Sequence, residues 1–110
     1  MTDAIVAAVV AGADLVVTTG GTGLGPRDVT PQATSMLIDY EVPGISELMR
    51  RSGAASTPMA VLSRGLAGVR GHALILNVPG SMKGATESLE AVLPVLGHAM
   101  QVLHGHTRHE

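Results

Sequence analysis

A short β-branched run that leads directly into a glycine-rich segment is the feature that most constrains the fold of this chain. The run Asp14-Leu15-Val16-Val17-Thr18-Thr19 is brief and largely apolar, as in a strand covered on both faces. Glycines follow at once, and Thr30-Pro31 is typical of a helix start, with Thr as the cap and Pro at the first helical position. The sequence therefore predicts a strand, a loop and a helix in succession, as in α/β folds.

Helical and strand patterns continue to alternate along the chain. Apolar spacing predicts a first helix over Ala4–Ala11, with Thr2 or Asp3 as its cap. Two more helices are predicted from Thr30 to Tyr40 and from Ile45 to the Arg50-Arg51 pair. A last helical region follows a Ser81 cap and reaches Leu103, and Pro94 is expected to separate it into two helices or to kink it. Two more strands are predicted over Met59–Leu62 and Ala73–Val78, joined by glycine turns. We expect one α/β domain over residues 1–110, with a mostly parallel sheet.

Composition excludes several classes of protein. The 110 residues contain no cysteine, so disulfide scaffolds and thiolate metal sites are excluded. Seven Lys and Arg against nine Asp and Glu, with one aromatic residue, argue against a nucleic-acid binder. No apolar stretch reaches the roughly 20 residues of a membrane helix, and the first residues do not resemble a signal peptide. We predict a cytoplasmic protein.

The first glycine-rich loop has the composition of an anion site. Gly20, Gly21 and Gly23 allow close backbone approach, and Thr19 and Thr22 add hydroxyl groups, so phosphate is the expected ligand. The loop is neither a P-loop nor a dinucleotide fingerprint, because no Gly-Lys-Ser/Thr follows and Pro26 replaces the third glycine. A simple turn is the alternative interpretation.

Arg27 and Asp28 place a cation and a carboxylate beside that loop. Such a pair is expected where phosphoryl charge and Mg²⁺ are both held, although a surface ion pair would have the same sequence. The segment from Asn77 to Lys83 offers an amide, the Ser81 hydroxyl and an ammonium group before a helix, which also suits an anion. An ordinary strand-to-helix turn is its alternative.

Two further polar groups have simple interpretations. His104, His106 and His109 could form a metal site, but a solvated tail is preferred because metal sites need several convergent ligands. Arg50-Arg51 is interpreted as a pair at a helix C-terminus.

Several motifs together resemble one family. They are Thr18-Thr19-Gly20-Gly21-Thr22-Gly23, Pro26-Arg27-Asp28-Val29-Thr30-Pro31-Gln32-Ala33, Val42-Pro43-Gly44, Leu62-Ser63-Arg64-Gly65 and Asn77-Val78-Pro79-Gly80-Ser81. The chain resembles the bacterial molybdopterin adenylyltransferases of molybdenum-cofactor biosynthesis, a family that includes the gephyrin G domain. The resemblance covers about residue 4 to Gly105.

The resemblance implies a three-layer αβα sandwich, a homotrimer, and transfer of AMP from Mg-ATP to molybdopterin with release of pyrophosphate. It implies that Gly20–Gly23 hold substrate phosphate, that Asp28 is catalytic and near Mg²⁺, and that Ser63, Arg64, Pro79, Gly80 and Ser81 line a pterin or nucleotide pocket. Thr19, Arg27 and Lys83 complete the predicted substrate-binding set. The molybdotransferase that acts next in the pathway is the implied protein partner.

The chain also departs from the family pattern. We expect it to lack the N-terminal strand of the family and the acid before the first helix, since Asp3 is displaced by two positions, and Met82 replaces a common proline. A non-catalytic pterin-binding or scaffolding paralogue is therefore the alternative function. A domain of the molybdotransferase or CinA type is a third, which the absence of flanking domains disfavours.

Overall fold

The computed structural model describes residues 1–105. Its strands are β1 (Leu15–Thr19), β2 (Tyr40–Glu41), β3 (Ala67–Arg70) and β4 (Ala73–Val78). Its α-helices are α1 (Thr2–Val10), α2 (Thr30–Ser35), α3 (Pro43–Ala54) and α4 (Met82–Leu103), and a 3₁₀ helix spans Pro58–Leu62.

The strands form one mixed sheet in the order β1-β4-β3-β2. β1 is parallel to β4, whereas β3 is antiparallel to both β4 and β2. The α/β class is confirmed. The expectation of a mostly parallel sheet is wrong, because one strand pair of the described sheet is parallel and two are antiparallel. Only Gly71 and His72 separate β3 from β4, and a two-residue connection permits antiparallel pairing alone. Gly71, at φ 61°, takes the left-handed conformation that this tight hairpin requires.

Helices cover both faces of β4, whose six residues are all buried. One face packs against α3 and α4 in the main core, formed by Leu74, Leu76 and Val78 with Ile45, Met49, Val92 and Leu96. On the other face, the Asn77 side chain contacts Thr34 of α2, and α1 packs beside β1. The predicted three-layer arrangement is thus present.

The strand prediction for Met59–Leu62 is wrong, because this segment lies in the 3₁₀ helix. Thr57 caps its start by accepting a hydrogen bond from the Met59 N–H, and Pro58 follows the cap. Met59 and Val61 are 64% and 63% exposed, so the apolar run is not a buried strand. The missed strand β3 lies instead within the segment predicted to form turns.

The helix boundaries differ from the prediction at several points. α1 begins at Thr2, so neither Thr2 nor Asp3 caps it. Thr30 is the first residue of α2 rather than its cap, and α2 ends at Ser35, before Tyr40. α3 continues past Arg50-Arg51 to Ala54.

α4 passes through Pro94 as one helix. Pro94 lies on the exposed side, where water can solvate the carbonyl that loses its partner. Val92 and Leu96, on either side of it in sequence, hold the helix against the core. Within residues 1–105, no helix is both long and apolar enough to cross a membrane.

Candidate functional site

The two predicted loops lie side by side. β1 and β4 are parallel neighbours, so their carboxyl ends meet at one edge of the sheet. The Gly20 N–H donates to the Val78 carbonyl over 2.9 Å. A Cβ added to Gly80 would lie 3.2 Å from the Gly20 Cα, so the backbones approach closely. The structure thus brings the 20–23 and 79–81 segments together.

Gly21 is fixed by its contact with the start of α2. Its φ is 70°, and its carbonyl accepts a hydrogen bond from the Thr30 N–H over 3.1 Å. A Cβ on Gly21 would lie 2.2 Å from the Thr30 Oγ1. Within residues 1–105, the N–H groups of Gly21, Thr22 and Gly23 have no hydrogen-bond acceptor. Three backbone donors therefore remain free for a ligand, as the anion-site hypothesis requires.

The Asp28 carboxylate closes the same loop from within. Its Oδ2 accepts a hydrogen bond from the Gly25 N–H over 3.0 Å. A Cβ on Gly23 would lie 2.8 Å from this oxygen, so glycine leaves the space that the carboxylate occupies. The Oδ1 accepts no hydrogen bond from any described residue. In the same part of the chain, Arg27 is exposed and forms no ion pair with Asp28, so the surface-pair interpretation fails.

Arg64 holds the loop from the opposite side. Its Nε donates to the Gly23 carbonyl over 2.8 Å, and its second terminal nitrogen, Nη2, donates to the Asp28 carbonyl. Its backbone N–H donates to the Thr22 carbonyl over 2.7 Å. The guanidinium thus fixes the loop backbone. Arg64 does not line the cavity that opens beside the two loops, although the sequence predicted it as a pocket residue.

A cavity of about 280 Å³ opens beside the two loops, between α3, the 3₁₀ helix and α4. Five predicted site residues line it: Thr22, Gly23, Ser63, Pro79 and Ser81. The others do not: Thr19, Gly20, Gly21, Arg27, Asp28, Arg64, Gly80 and Lys83. Lys83 lines an adjoining hollow of about 230 Å³ instead. The phosphate loop and the cavity are therefore neighbours that share Thr22 and Gly23.

The cavity also has polar lining residues that sequence reasoning missed, namely Ser46, Arg50, Thr57, Glu87 and Ser88. The sequence pattern assigns Arg50 to a helix end, but it lies inside α3 and its Nη1 donates to the Gly65 carbonyl over 3.1 Å. Glu87 accepts a hydrogen bond from the Ser56 hydroxyl through Oε2. A signal for part of this lining was present in the sequence. The helical spacing places Ser46, Met49, Arg50 and Gly53 on one face of a helix.

Two buried hydroxyl groups in the lining have no partner among the described residues. Thr22 and Ser88 are 6% and 5% exposed, and within the described residues neither side chain forms a hydrogen bond. By contrast, the Ser46 hydroxyl donates to the Pro43 carbonyl, and the Ser81 hydroxyl accepts from the Gly84 N–H. Buried polar groups are normally satisfied. The two hydroxyls are therefore available to water or to a polar ligand in this cavity.

Asn77 has a structural role and not the predicted anion-binding one. Its Nδ2 donates to the hydroxyls of Thr18 and Thr34 over 2.8 and 3.0 Å. Its Oδ1 accepts from the Leu66 N–H over 3.3 Å. The amide thus joins β1, α2 and the approach to β3, and no donor is left for a ligand.

The predicted histidine cluster is only partly within the structure. His104 Nε2 lies 2.7 Å from Asp14 Oδ1, whereas His106 and His109 lie outside the described residues. Among residues 1–105, no group of three or more His, Asp or Glu side chains could hold a metal ion.

Comparisons with known proteins agree with this geometry. Residues 1–98 match the model of a family described as a probable molybdopterin binding domain. A molybdopterin adenylyltransferase from Helicobacter pylori is 47% identical over 92 residues, which are 84% of this chain and 52% of that protein. The Escherichia coli K12 enzyme of the same name is 48% identical over 91 residues, or 83% and 46% of the two chains. The chain spans about half the length of these curated relatives.

Solved structures match over most of the chain. The molybdopterin biosynthesis enzyme MoaB from Thermus thermophilus is 61% identical with a TM-score of 0.87, covering 94% of this chain and 66% of its own. The Mog protein from Mycobacterium ulcerans is 41% identical with a TM-score of 0.90, covering 93% and 67%. These similarities confirm the resemblance noted in the sequence. The chain belongs to the molybdopterin-binding domain family of molybdenum-cofactor biosynthesis proteins.

Proposed function

We propose that this chain is a molybdopterin adenylyltransferase, which transfers AMP from ATP to molybdopterin. The observation that supports this best is the juxtaposition of three free backbone N–H groups, the Asp28 carboxylate and a cavity of substrate size at one sheet edge. Relatives nearly half identical to the chain bear that enzyme's name. In the reaction, a terminal phosphate oxygen of molybdopterin bonds to the α-phosphorus of ATP, and the bond to the departing pyrophosphate breaks.

Each part of the site has a role in this proposal. The free N–H groups of Gly21, Thr22 and Gly23 bind phosphate oxygens and stabilise the charge that develops during transfer. The adjoining cavity, whose lining includes the apolar side chains of Met49 and Leu62 beside several polar groups, holds the ring of a substrate. Arg64 keeps the loop in its binding geometry through backbone carbonyls. Holding both reactants in place supplies much of the acceleration in such transfers.

Asp28 is the residue that would hold Mg²⁺. Mg²⁺ is usually bound through one or two carboxylates together with substrate phosphates, so a full protein cage is not required. The Asp28 Oδ1, which has no partner among residues 1–105, fits this requirement. When bound, Mg²⁺ neutralises charge on the phosphates.

The function can be tested with Asp28→Asn. The amide oxygen can still accept from the Gly25 N–H, but the negative charge is lost. We expect turnover, measured as pyrophosphate release with molybdopterin and Mg-ATP, to fall about a hundredfold or more. Molybdopterin affinity should change less than about threefold, because the backbone donors remain.

Asp39→Asn is the matched control, since Asp39 also accepts one backbone N–H, from Gly71, at a distant hairpin. Equal turnover in Asp28→Asn and Asp39→Asn would exclude a catalytic role for Asp28. Molybdopterin binding without any turnover in the unmodified chain would favour the non-catalytic pterin-binding paralogue.

We further propose that the chain assembles as a homotrimer and passes its product to the molybdotransferase that acts next. Large apolar side chains stay exposed in the single chain, among them Met36 at 82%, Met59 at 64% and Met82 at 86%. Sister subunits would cover part of this surface. Light scattering should give a trimer mass, and a stable monomer over a wide concentration range would refute the assembly.

A further inference from the structure

Arg50 has unused hydrogen-bonding capacity inside the cavity wall. Its side chain is half-buried, and among the contacts within residues 1–105 only Nη1 is engaged, with the carbonyls of Gly65 at 3.1 Å and Ser63 at 3.5 Å. Within the described residues, its Nε and Nη2 donate to no acceptor. These two donors form the side-on fork of a guanidinium, which suits an oxygen acceptor on a planar ligand.

Glu87 presents the opposite charge in the same cavity. Its Oε2 accepts from the Ser56 hydroxyl, and its Oε1 has no partner among residues 1–105. Arg50 and Glu87 form no ion pair with each other in the part of the chain that the structure describes. The cavity is therefore lined by two opposite charges that do not pair with each other. This arrangement favours a ligand that offers hydrogen-bond donors to Glu87 and an acceptor to Arg50.

The Ser88 hydroxyl is a further group that is available to a ligand there. It is 5% exposed, it lines the cavity from α4, and it forms no hydrogen bond with residues 1–105. Met49 and Leu62 supply apolar surface to the same cavity. Apolar walls with a few polar groups are typical of sites for heterocyclic ligands.

We propose that Arg50 and Glu87 are specificity-determining residues that recognise the 2-amino-4-oxo edge of a pterin ring. This inference rests on the proposed function and assigns the cavity to the pterin rather than to adenine. The pterin edge carries an amino donor, a ring N–H donor and an oxo acceptor in sequence. Glu87 would accept from the two donors, and Arg50 would donate to the oxo group. Adenine has an amino group where the pterin has its oxo group, so it would place a donor against Arg50.

Two pairs of free pteridines probe the two contacts. Pterin and 2,4-diaminopteridine differ in the 4-substituent that faces Arg50 and also in ring N3, which carries a hydrogen in pterin and is an acceptor in 2,4-diaminopteridine. Pterin and lumazine both keep the N3–H and differ in the 2-substituent that faces Glu87. Nuclear magnetic resonance titration of the intact chain measures such binding without ATP or turnover. The unmodified chain should prefer pterin in both pairs by roughly tenfold or more, because a mismatched group leaves a charged partner unsatisfied.

Arg50→Met should lower the preference for pterin over 2,4-diaminopteridine and keep the preference over lumazine, because Glu87 still accepts from the N3–H and the 2-amino group. Glu87→Gln should lower both preferences, because a carboxamide can turn its N–H toward the acceptor that each analogue presents. Arg50→Lys should keep part of the preference over 2,4-diaminopteridine, because an ammonium also donates to an oxo group but has no fork. Arg51→Met and Glu90→Gln remove the same charges from other positions on the same helices, outside the cavity lining, and should leave both preferences unchanged.

A merely structural role would give a different result. If Arg50 only holds the Ser63–Gly65 backbone, Arg50→Met will weaken pterin and 2,4-diaminopteridine equally, which would overturn the proposal. Absence of either preference in the unmodified chain, or displacement of pterin from the cavity by adenosine, would overturn it too. A chain that recognises pterin through these residues but transfers no AMP would refute the proposed function alone.

Discussion

Arg64→Met tests whether one side chain orders the glycine-rich loop. The change removes two hydrogen bonds from a charged donor, to the carbonyls of Gly23 and Asp28, and keeps much of the apolar volume. Hydrogen bonds of this kind contribute about 1.5–3 kcal/mol each. Arg64 is half-buried, so water can partly replace the lost donors, and the lower figure applies to each bond. We therefore expect the free energy of unfolding to fall by about 3 kcal/mol.

Urea denaturation measures this loss, and hydrogen exchange locates it. The Gly25 and Asp28 N–H groups, which are bonded within the loop, should exchange faster in the variant. Arg70→Met is the matched control, because Arg70 donates one hydrogen bond to the Leu37 carbonyl over 2.8 Å, away from the site. Arg70→Met should lower the free energy of unfolding by about half as much and leave the hydrogen exchange of the loop amides unchanged. Equal losses of stability in the two variants, with loop amides that exchange at the original rate, would refute this role of Arg64.

Two further substitutions test the packing that supports the site. Asn77→Leu should lower the free energy of unfolding by about 3–5 kcal/mol in a denaturant titration, because it leaves the Thr18 and Thr34 hydroxyls and the Leu66 N–H without their partner. A loss below about 1 kcal/mol would contradict this role. Gly21→Val should cause loss of the fold and not of binding alone, since its Cβ would lie 2.2 Å from the Thr30 Oγ1 at a φ of 70°. Circular dichroism would show this loss, whereas Gly97→Ala, with nothing within 4 Å, should keep the native spectrum.

The two loops of the candidate site could be predicted from the sequence, because each follows a local strand pattern. The β-branched run before Gly20 and the apolar run before Pro79 both end in loops, and the ends of parallel neighbours meet. The sequence did not predict that the two strands are adjacent, which the structure shows in the parallel pairing of β1 with β4. The contacts of Asp28 and Arg64 with the loop backbone were not predictable, because they depend on side-chain positions in three dimensions.

The missed strand and the misplaced helix end each contain a glycine that packs against another segment. Gly68 indicated a turn, yet it lies in the middle of β3, where Ile38 covers it and a Cβ would lie 2.7 Å from Ile38 atoms. The charges of Arg50-Arg51 suggested that the helix ends before Gly53. Gly53 lies inside α3, where a Cβ would be 2.9 Å from the Ala60 Cβ of the 3₁₀ helix. Both glycines allow close packing between segments, a requirement that local propensity does not express.

The free donors of the glycine-rich loop follow from where its carbonyls are bound. In a planar trans peptide, the C=O of one residue and the N–H of the next point in opposite directions. The Gly21 carbonyl is bound by the Thr30 N–H, so the Thr22 N–H points away from α2. The Thr22 carbonyl is bound by the Arg64 N–H, so the Gly23 N–H points away from Arg64. Contacts that bind these two carbonyls therefore fix the directions of the Thr22 and Gly23 N–H groups before any ligand binds, which supports the proposed anion site.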